Sequence, residues 1–338
     1  MWRTPAWVFL ERGNSVEAPA AILLENLSKV YDLPPGSAGA AQAVAADNLN
    51  LRIAEREVFG LVGPNGAGKT TTLKMICGLL VPTAGRIVVN GVDVERDPEA
   101  AQGGIGYLAD FFSLYDDLKV WEYLDYFAHA YKMAPETIAG RITDVLRLMG
   151  LEGKRGAFIG GLSRGMKQRL GIGRAIIHDP AVLVLDEPAV GLDPKGRIEF
   201  RQLVHELNGR GKTVLITSHL LHDLEEMCTS VAIIEKGRLL RSGRLEQILG
   251  EGARERRVRI MVASPGFPLA EWLSRREGVR GVTGVAPIGA QFSFAGGEAE
   301  LASLVKALVV AGASVYAVEP VGETLEKVVM GLSRGEVT

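Results

Sequence analysis

The chain is short of cysteine, has no strong excess of charge of either sign and lacks an apolar run long enough to cross a membrane. Each shortage removes a class of protein. Two cysteines in 338 residues, Cys77 and Cys228, cannot build a disulfide framework, and neither has metal-ligand spacing, so both read as core thiols in a reducing compartment. Lys and Arg total 38 against 40 Asp and Glu, a formal charge of −2, which leaves no global basic field to hold a nucleic-acid backbone by counterion release. The longest apolar run, residues 301–318, is interrupted by Lys306 and Gly312 and fits a helix followed by a strand better than a membrane span. Near the N-terminus a short apolar stretch is broken by Pro5 and ended by Glu11. That is a poor secretory signal, and residues 1–20 read as a loose leader.

What is present is ample core. Apolar residues make up 47% and charged residues 23%, which excludes wholesale disorder, and the length favours two domains or one large domain with an appendage. Apolar runs at 22–27 and 49–54 predict two strands joined by a loop rich in Pro, Gly and Ala at 32–45; a third strand at 57–62 ends in a glycine-rich turn that opens a helix. Residues 85–94 predict a hairpin turning at Asn90-Gly91, and 120–150 two amphipathic helices with a break near Pro135. Strands follow at 181–186, at 213–217 and within 231–243, with helices after Pro194 and from about His219. Short, fully apolar strands separated by helices indicate a parallel sheet covered on both faces. A charged stretch at 250–257 reads as a junction, and the order beyond it, β-α-β-β-α-β and a last helix, is the ferredoxin-like one.

Gly63-Pro64-Asn65-Gly66-Ala67-Gly68-Lys69-Thr70 fits G-x-x-x-x-G-K-[ST] and lies where that pattern has meaning, after a strand and at the start of a helix. The glycines let backbone N–H groups turn toward one point, the helix N-terminus adds partial positive charge, Lys69 can reach β- and γ-phosphates, and Thr70 can ligate Mg²⁺. By itself the loop indicates only a nucleotide binder. Residues 181–188, AVLVLDEP, form an apolar strand ending in Asp186 and Glu187, which places both carboxylates at the carboxyl edge of the sheet, where ligands bind. Asp186 suits the shell of a metal; Glu187 suits orienting or deprotonating a water. The bland reading, an acidic pair capping a helix, loses weight beside the phosphate loop.

Leu162-Ser163-Arg164-Gly165-Met166-Lys167-Gln168-Arg169 precedes the acidic strand, and GLDP at 191–194 and Ser218-His219 follow it. With these four motifs in order, residues 20–245 resemble the ATP-binding cassette (ABC) ATPases. The resemblance implies an α/β fold: a P-loop NTPase parallel-sheet core with an antiparallel β subdomain and a helical subdomain, followed here by a small α+β ferredoxin-like domain. The expected boundaries are a leader at 1–20, a nucleotide-binding domain at 21–248 with its helical subdomain at about 112–178, and an accessory domain at 255–334. The resemblance implies ATP and Mg²⁺ as ligands, with Tyr31 stacking on adenine, residues Gly63, Asn65, Gly66, Ala67, Gly68, Lys69, Thr70 and Thr71 around the phosphates, Asp186 supporting the metal, Glu187 as catalytic carboxylate and His219 as γ-phosphate switch. Ser163 and Gly165 match signature residues that grip the γ-phosphate of the opposite protomer, and Asp193 matches the aspartate that communicates across that interface, so one cassette per chain implies a homodimer.

Singly, each residue has a plainer reading: Tyr31 as packing, His219 as a helix cap, Asp193-Pro194 as a helix start. Arg164-Gly165-Met166 departs from the usual two glycines and glutamine, and Asp110 stands where the family usually has glutamine. A carboxylate there can add a hard oxygen ligand to Mg²⁺ or repel the γ-phosphate; ligation is the favoured expectation. Exposed aromatics at Phe112 and Tyr115 are expected to meet a short helix of a transmembrane permease. Arg254, Arg256, Arg257 and Arg259 could touch lipid headgroups, but solvated positions at a junction are the commoner case.

The leading expectation is the ATP-hydrolysing subunit of an ABC transporter, peripheral on the cytoplasmic face of the membrane and working with a separate permease. The end of the chain, EPVGETLEKVVMGL, resembles the ATPases of bacterial ABC-2-type exporters. A soluble ABC ATPase acting on nucleic acid or ribosomes is the alternative. It is disfavoured because only about a hundred residues separate the phosphate loop from the signature and no cysteine cluster exists. A P-loop nucleotide kinase is disfavoured by the signature and by Ser218-His219.

Overall fold

The computed structural model describes residues 19–32, 42–249, 256–264, 266–286, 288–320 and 324–333. Most of the expected leader, residues 1–18, and most of the charged junction, including Arg254, lie outside the described residues, and Ala20 already belongs to the first strand. The chain opens on two long antiparallel strands, β1 (Ala20–Asp32) and β2 (Gln42–Ala54), then passes through β3 (Val58–Val62) into α1 (Lys69–Ile76). β4 (Ala84–Val89) and β5 (Val92–Asp93) make the expected hairpin. Asn90 and Gly91 both have positive φ, 49° and 79°, as a type I′ turn demands. The first sheet has the order β2-β1-β4-β5 and is wholly antiparallel.

Next come α2 (Pro98–Gly103) and β6 (Ile105–Leu108), which the sequence pattern does not reveal. Asp97 caps α2 by accepting from the Ala100 N–H. Gly106 lets β6 approach α5 (Arg164–Ile176), because a Cβ there would lie 2.1 Å from the Ala175 carbonyl oxygen. Ahead of α5 stand the two amphipathic helices of the expected block, α3 (Val120–Ala130) and α4 (Pro135–Leu148). Alternating strands and helices follow: β7 (Val182–Leu185), α6 (Pro194–Gly209), β8 (Thr213–Thr217), α7 (Leu221–Met227), β9 (Ser230–Glu235), β10 (Arg238–Arg244) and the short α8 (Leu245–Ile248).

The second sheet has the order β10-β9-β3-β8-β7-β6. Its neighbours are parallel except the edge pair β9–β10. Every residue of β3, β7 and β8 is buried, and side-chain alternation divides them between two cores. Val58, Val62, Leu183, Leu185, Val214 and Ile216 join the helices on one face; Phe59, Leu61, Val182, Val184 and Leu215 join β1, β2, β4 and α1 on the other. Fully apolar strands are stable only when both faces are covered in this way. Cys77 and Cys228 are buried and free.

Beyond the junction lie β11 (Arg256–Val262), α9 (Leu269–Ser274), β12 (Val279–Val285), β13 (Gly289–Phe294), α10 (Glu298–Val310) and β14 (Val315–Pro320). They form an antiparallel sheet of order β12-β13-β11-β14, with its own core built on Val258, Ile260, Leu273, Phe292 and Leu308. The last helix, α11 (Leu325–Ser333), does not join that core. Leu325 and Val328 are buried in the helix-side core of the preceding region, and the Leu325 N–H donates to the Glu225 carboxylate of α7. Among the described residues no helix is long and apolar enough to cross a membrane.

Candidate active site

β3, β8 and β7 are consecutive, parallel strands of the second sheet, so the segments leaving their carboxyl ends converge. Those segments are the glycine-rich loop after Val62, Ser218-His219 after Thr217, and Asp186-Glu187 after Leu185. The strand order therefore gathers three motifs that lie far apart in sequence at the edge where α/β sheets bind ligands.

Gly68 sits at the N-cap of α1 with φ 101°. A Cβ there would fall 2.0 Å from the Ala45 carbonyl oxygen, so both the backbone angle and the close approach of β2 require glycine. Lys69 is buried, and its ammonium donates to the carbonyls of Gly63 at 2.6 Å and Pro64 at 3.3 Å. Asn65, Gly66 and Thr70 are exposed on the loop and the first turn of α1, Thr71 is half-buried, and Ala67 is buried with its carbonyl accepting from the Gly237 N–H at 3.0 Å. The loop is thus pinned from below while its outer rim and the start of α1 remain open, an arrangement suited to an anion.

Asp186 is buried, and its Oδ1 accepts a 2.6 Å hydrogen bond from the Thr217 hydroxyl. Its Oδ2 is buried with no hydrogen-bond partner among the described residues. Glu187 has φ 49°, a left-handed conformation that costs a non-glycine residue free energy and is met most often at functional sites. Its N–H donates to the Thr217 hydroxyl at 2.9 Å. Its carboxylate Oε2 accepts from the His219 N–H at 3.2 Å and meets His219 Nδ1 at 2.8 Å. Asp186, Glu187 and His219 are therefore brought together. Thr217, which joins the first two, is the residue the sequence reading passes over; its only signal is a hydroxyl at the end of the apolar strand TVLIT.

Asp110 follows β6 and is exposed. Partial burial, then the negative charges of Asp186 and Glu187, push its carboxyl above the usual range, with His219 opposing. Burial first, and Asp186 second, likewise push up the Tyr107 phenol and the Cys77 thiol. Among the described residues no three His, Cys, Asp or Glu side chains group as a metal site.

The signature residues stand elsewhere. Ser163 caps α5, its hydroxyl accepting from the Met166 N–H at 3.3 Å, and Asp193 caps α6 by accepting from the Gly196 N–H at 2.8 Å. Ser163, Gly165, Gln168 and Asp193 line one cavity of about 360 Å³, to which neither the phosphate loop nor Asp186, Glu187 or His219 contributes. Tyr31 lies on β1, exposed, with the Lys29 ammonium 5.4 Å from its ring centre. The expectation for Phe112 needs correction. Its ring is half-buried, packed against α5 so closely that a Cβ on Gly171 would come within 2.6 Å of it, and the Arg174 guanidinium lies 5.9 Å from its centre. In the same segment, residues 111–118, the exposed aromatics are Phe111, at 95%, and Tyr115, at 53%.

A phosphate loop opening a helix from one parallel strand, with an acidic pair and a histidine at neighbouring strand ends, defines a P-loop nucleoside-triphosphatase. The sequence model of the family described as ABC transporter matches residues 46–190. The Nod factor export ATP-binding protein I of Rhizobium meliloti is 38% identical over 231 residues, 68% of this chain and 66% of that protein. The ABC transporter ATP-binding protein NatA of Bacillus subtilis is 38% identical over 60% of this chain and 83% of its own length. A solved dimeric ATP-binding cassette in a post-hydrolysis state, bound to ADP and Pi, superposes with a TM-score of 0.59 at 27% identity, covering 66% of this chain and 98% of that one. The chain belongs to the ABC transporter family, among its ATP-binding proteins.

Proposed function

We propose that the chain is the ATP-hydrolysing subunit of an exporter, closing on a second copy of itself to drive a separate transmembrane permease from the cytoplasmic face of the membrane. One observation carries the reading: the phosphate loop, Asp186, Glu187 and His219 share one sheet edge, while Ser163, Gly165 and Asp193 line a cavity to which none of them contributes. Two chains placed head to tail complete each site with the other's signature. The export direction rests on relatives such as the Nod factor export protein.

In this reading residues 21–248 form the nucleotide-binding domain, with a helical subdomain at about 112–178. The rim formed by Asn65, Gly66 and the first turn of α1 holds the phosphates, Lys69 swings from the Gly63 carbonyl to the terminal phosphates, and Tyr31 receives the adenine ring. The residues present fit Mg²⁺: the unpartnered Asp186 Oδ2 and the exposed Thr70 offer hard oxygen. Bound there, Mg²⁺ would offset phosphate charge. Asp110, in the same field as Asp186, would supply a further oxygen. Glu187 holds the attacking water and takes its proton, and His219, bonded to that carboxylate, orients it and senses the γ-phosphate. Phe111 and Tyr115 offer the permease an apolar contact. Residues 255–334 are read as a ferredoxin-like accessory domain whose final helix rests on α7.

Replacing the positioned base tests the assignment. Glu187→Gln is expected to slow ATP hydrolysis by roughly 10²–10⁴-fold while leaving nucleotide affinity intact; hydrolysis at the wild-type rate would overturn it.

A further inference from the structure

We infer that Thr217 is a positioning residue that sets the metal-supporting and catalytic carboxylates in one register, an inference that rests on the ATPase reading above. Its hydroxyl is fully buried, at 0% exposure, and is used on both sides: it donates to Asp186 Oδ1 at 2.6 Å and accepts from the Glu187 N–H at 2.9 Å. A hydroxyl has one proton to give and lone pairs to receive, so a single oxygen serves two consecutive residues of the neighbouring strand end. Val cannot replace it although its shape is the same.

The two bonds act on different properties. The donated bond goes to a buried carboxylate whose other oxygen has no partner among the described residues. It fixes which Asp186 oxygen faces the protein and leaves Oδ2 as the free one. The accepted bond anchors the backbone of Glu187 where φ is 49°, a conformation the surroundings must over-determine if it is to persist. Relaxing that backbone would swing the carboxylate away from His219, which it meets at 2.8 Å. β8 continues from Thr217 directly into Ser218 and His219. One strand end therefore carries the histidine and sets the two acids it works with.

The test compares Thr217→Val, Thr217→Ser and Glu187→Gln with the double variant Thr217→Val/Glu187→Gln. The readouts are kcat, KM for ATP, the Mg²⁺ dependence of ATP binding at equilibrium, and ATP binding in EDTA. Thr217→Val is expected to lower kcat about 10–100-fold, the usual effect of removing a partner behind a ligating carboxylate, with KM little changed. It should raise the Mg²⁺ concentration that tightens ATP while sparing binding in EDTA, and Thr217→Ser should restore both. Once Glu187 is gone, adding Thr217→Val should lower the rate far less than it does alone, because part of its effect passes through that residue. Wild-type behaviour of Thr217→Val overturns the inference. So does loss of ATP binding in EDTA, failure of serine to rescue, or full additivity in the double variant. A Glu187→Gln chain hydrolysing at the wild-type rate overturns the assignment of Glu187 as the base and the inference with it, whereas a defective Glu187→Gln beside an unchanged Thr217→Val overturns the inference alone.

Discussion

The carboxylate of Asp110 shares a field with Asp186 and Glu187, and at residue scale that sets two opposite demands on one side chain. Its acidity is weakened by burial and then by those two charges, so the folded chain holds the Asp110 proton more tightly than the unfolded chain does. The charged form is thus penalised on folding: the penalty is absent below the ordinary aspartate pKa of about 4 and fully present above the raised one. Asp110→Asn should therefore raise the Tm of the metal-free protein at neutral pH, with the gain vanishing at about pH 3. If the side chain also serves the metal, the same variant should need more Mg²⁺ for half-maximal ATPase activity; overlapping Mg²⁺ titrations would remove that role. Lys69, Asp186 and Glu187 could be read in sequence because their chemistry is confined to short patterns with a fixed strand and helix context. Thr217 could not. Its bonds to Asp186 and Glu187 arise only when β7 and β8 lie side by side, and a lone threonine at the end of a strand is otherwise unremarked.

At the scale of elements, the helices with clear periodicity and the fully apolar strands were legible, since burial of one face or of both leaves a period in the sequence. β6 was not. Its two glycines, Gly104 just outside and Gly106 within, erase the strand pattern, and Gly106 is there to let α5 pass close. The docking of α11 was also hidden, because its helical period says that one face is buried and not against what. Leu325 is 0% exposed in the core shared with α7. Leu325→Ala should destabilise the chain by about 2–5 kcal/mol, the cost of emptying a buried leucine site, as read by urea denaturation of the full chain. A change under about 0.5 kcal/mol, the range of surface substitutions, would mean that α11 is not held there.

On the scale of the whole molecule, the division of the site residues into two groups is the feature from which the function follows. Ser163 and Asp193 are spent locally as helix caps, yet both line a cavity with Gly165 to which neither the phosphate loop nor the acidic pair contributes. The carboxyl ends of β3, β8 and β7 carry the phosphate loop, the histidine and the base. The family resemblance suggested both groups, but only the strand order and the cavity lining separate them in space. The most direct test mixes two inactive chains in a Glu187→Gln background, so that ATP is held and not turned over: one carries Lys69→Ala, the other Gly165→Asp. Neither can form an intact site with its own copy, whereas a pair of unlike chains assembles one from the intact loop of the second and the intact signature of the first. Native mass spectrometry with Mg-ATP should show each chain alone as a monomer and the mixture as a dimer of unlike chains holding one ATP. A mixture that remains monomeric would contradict the head-to-tail site.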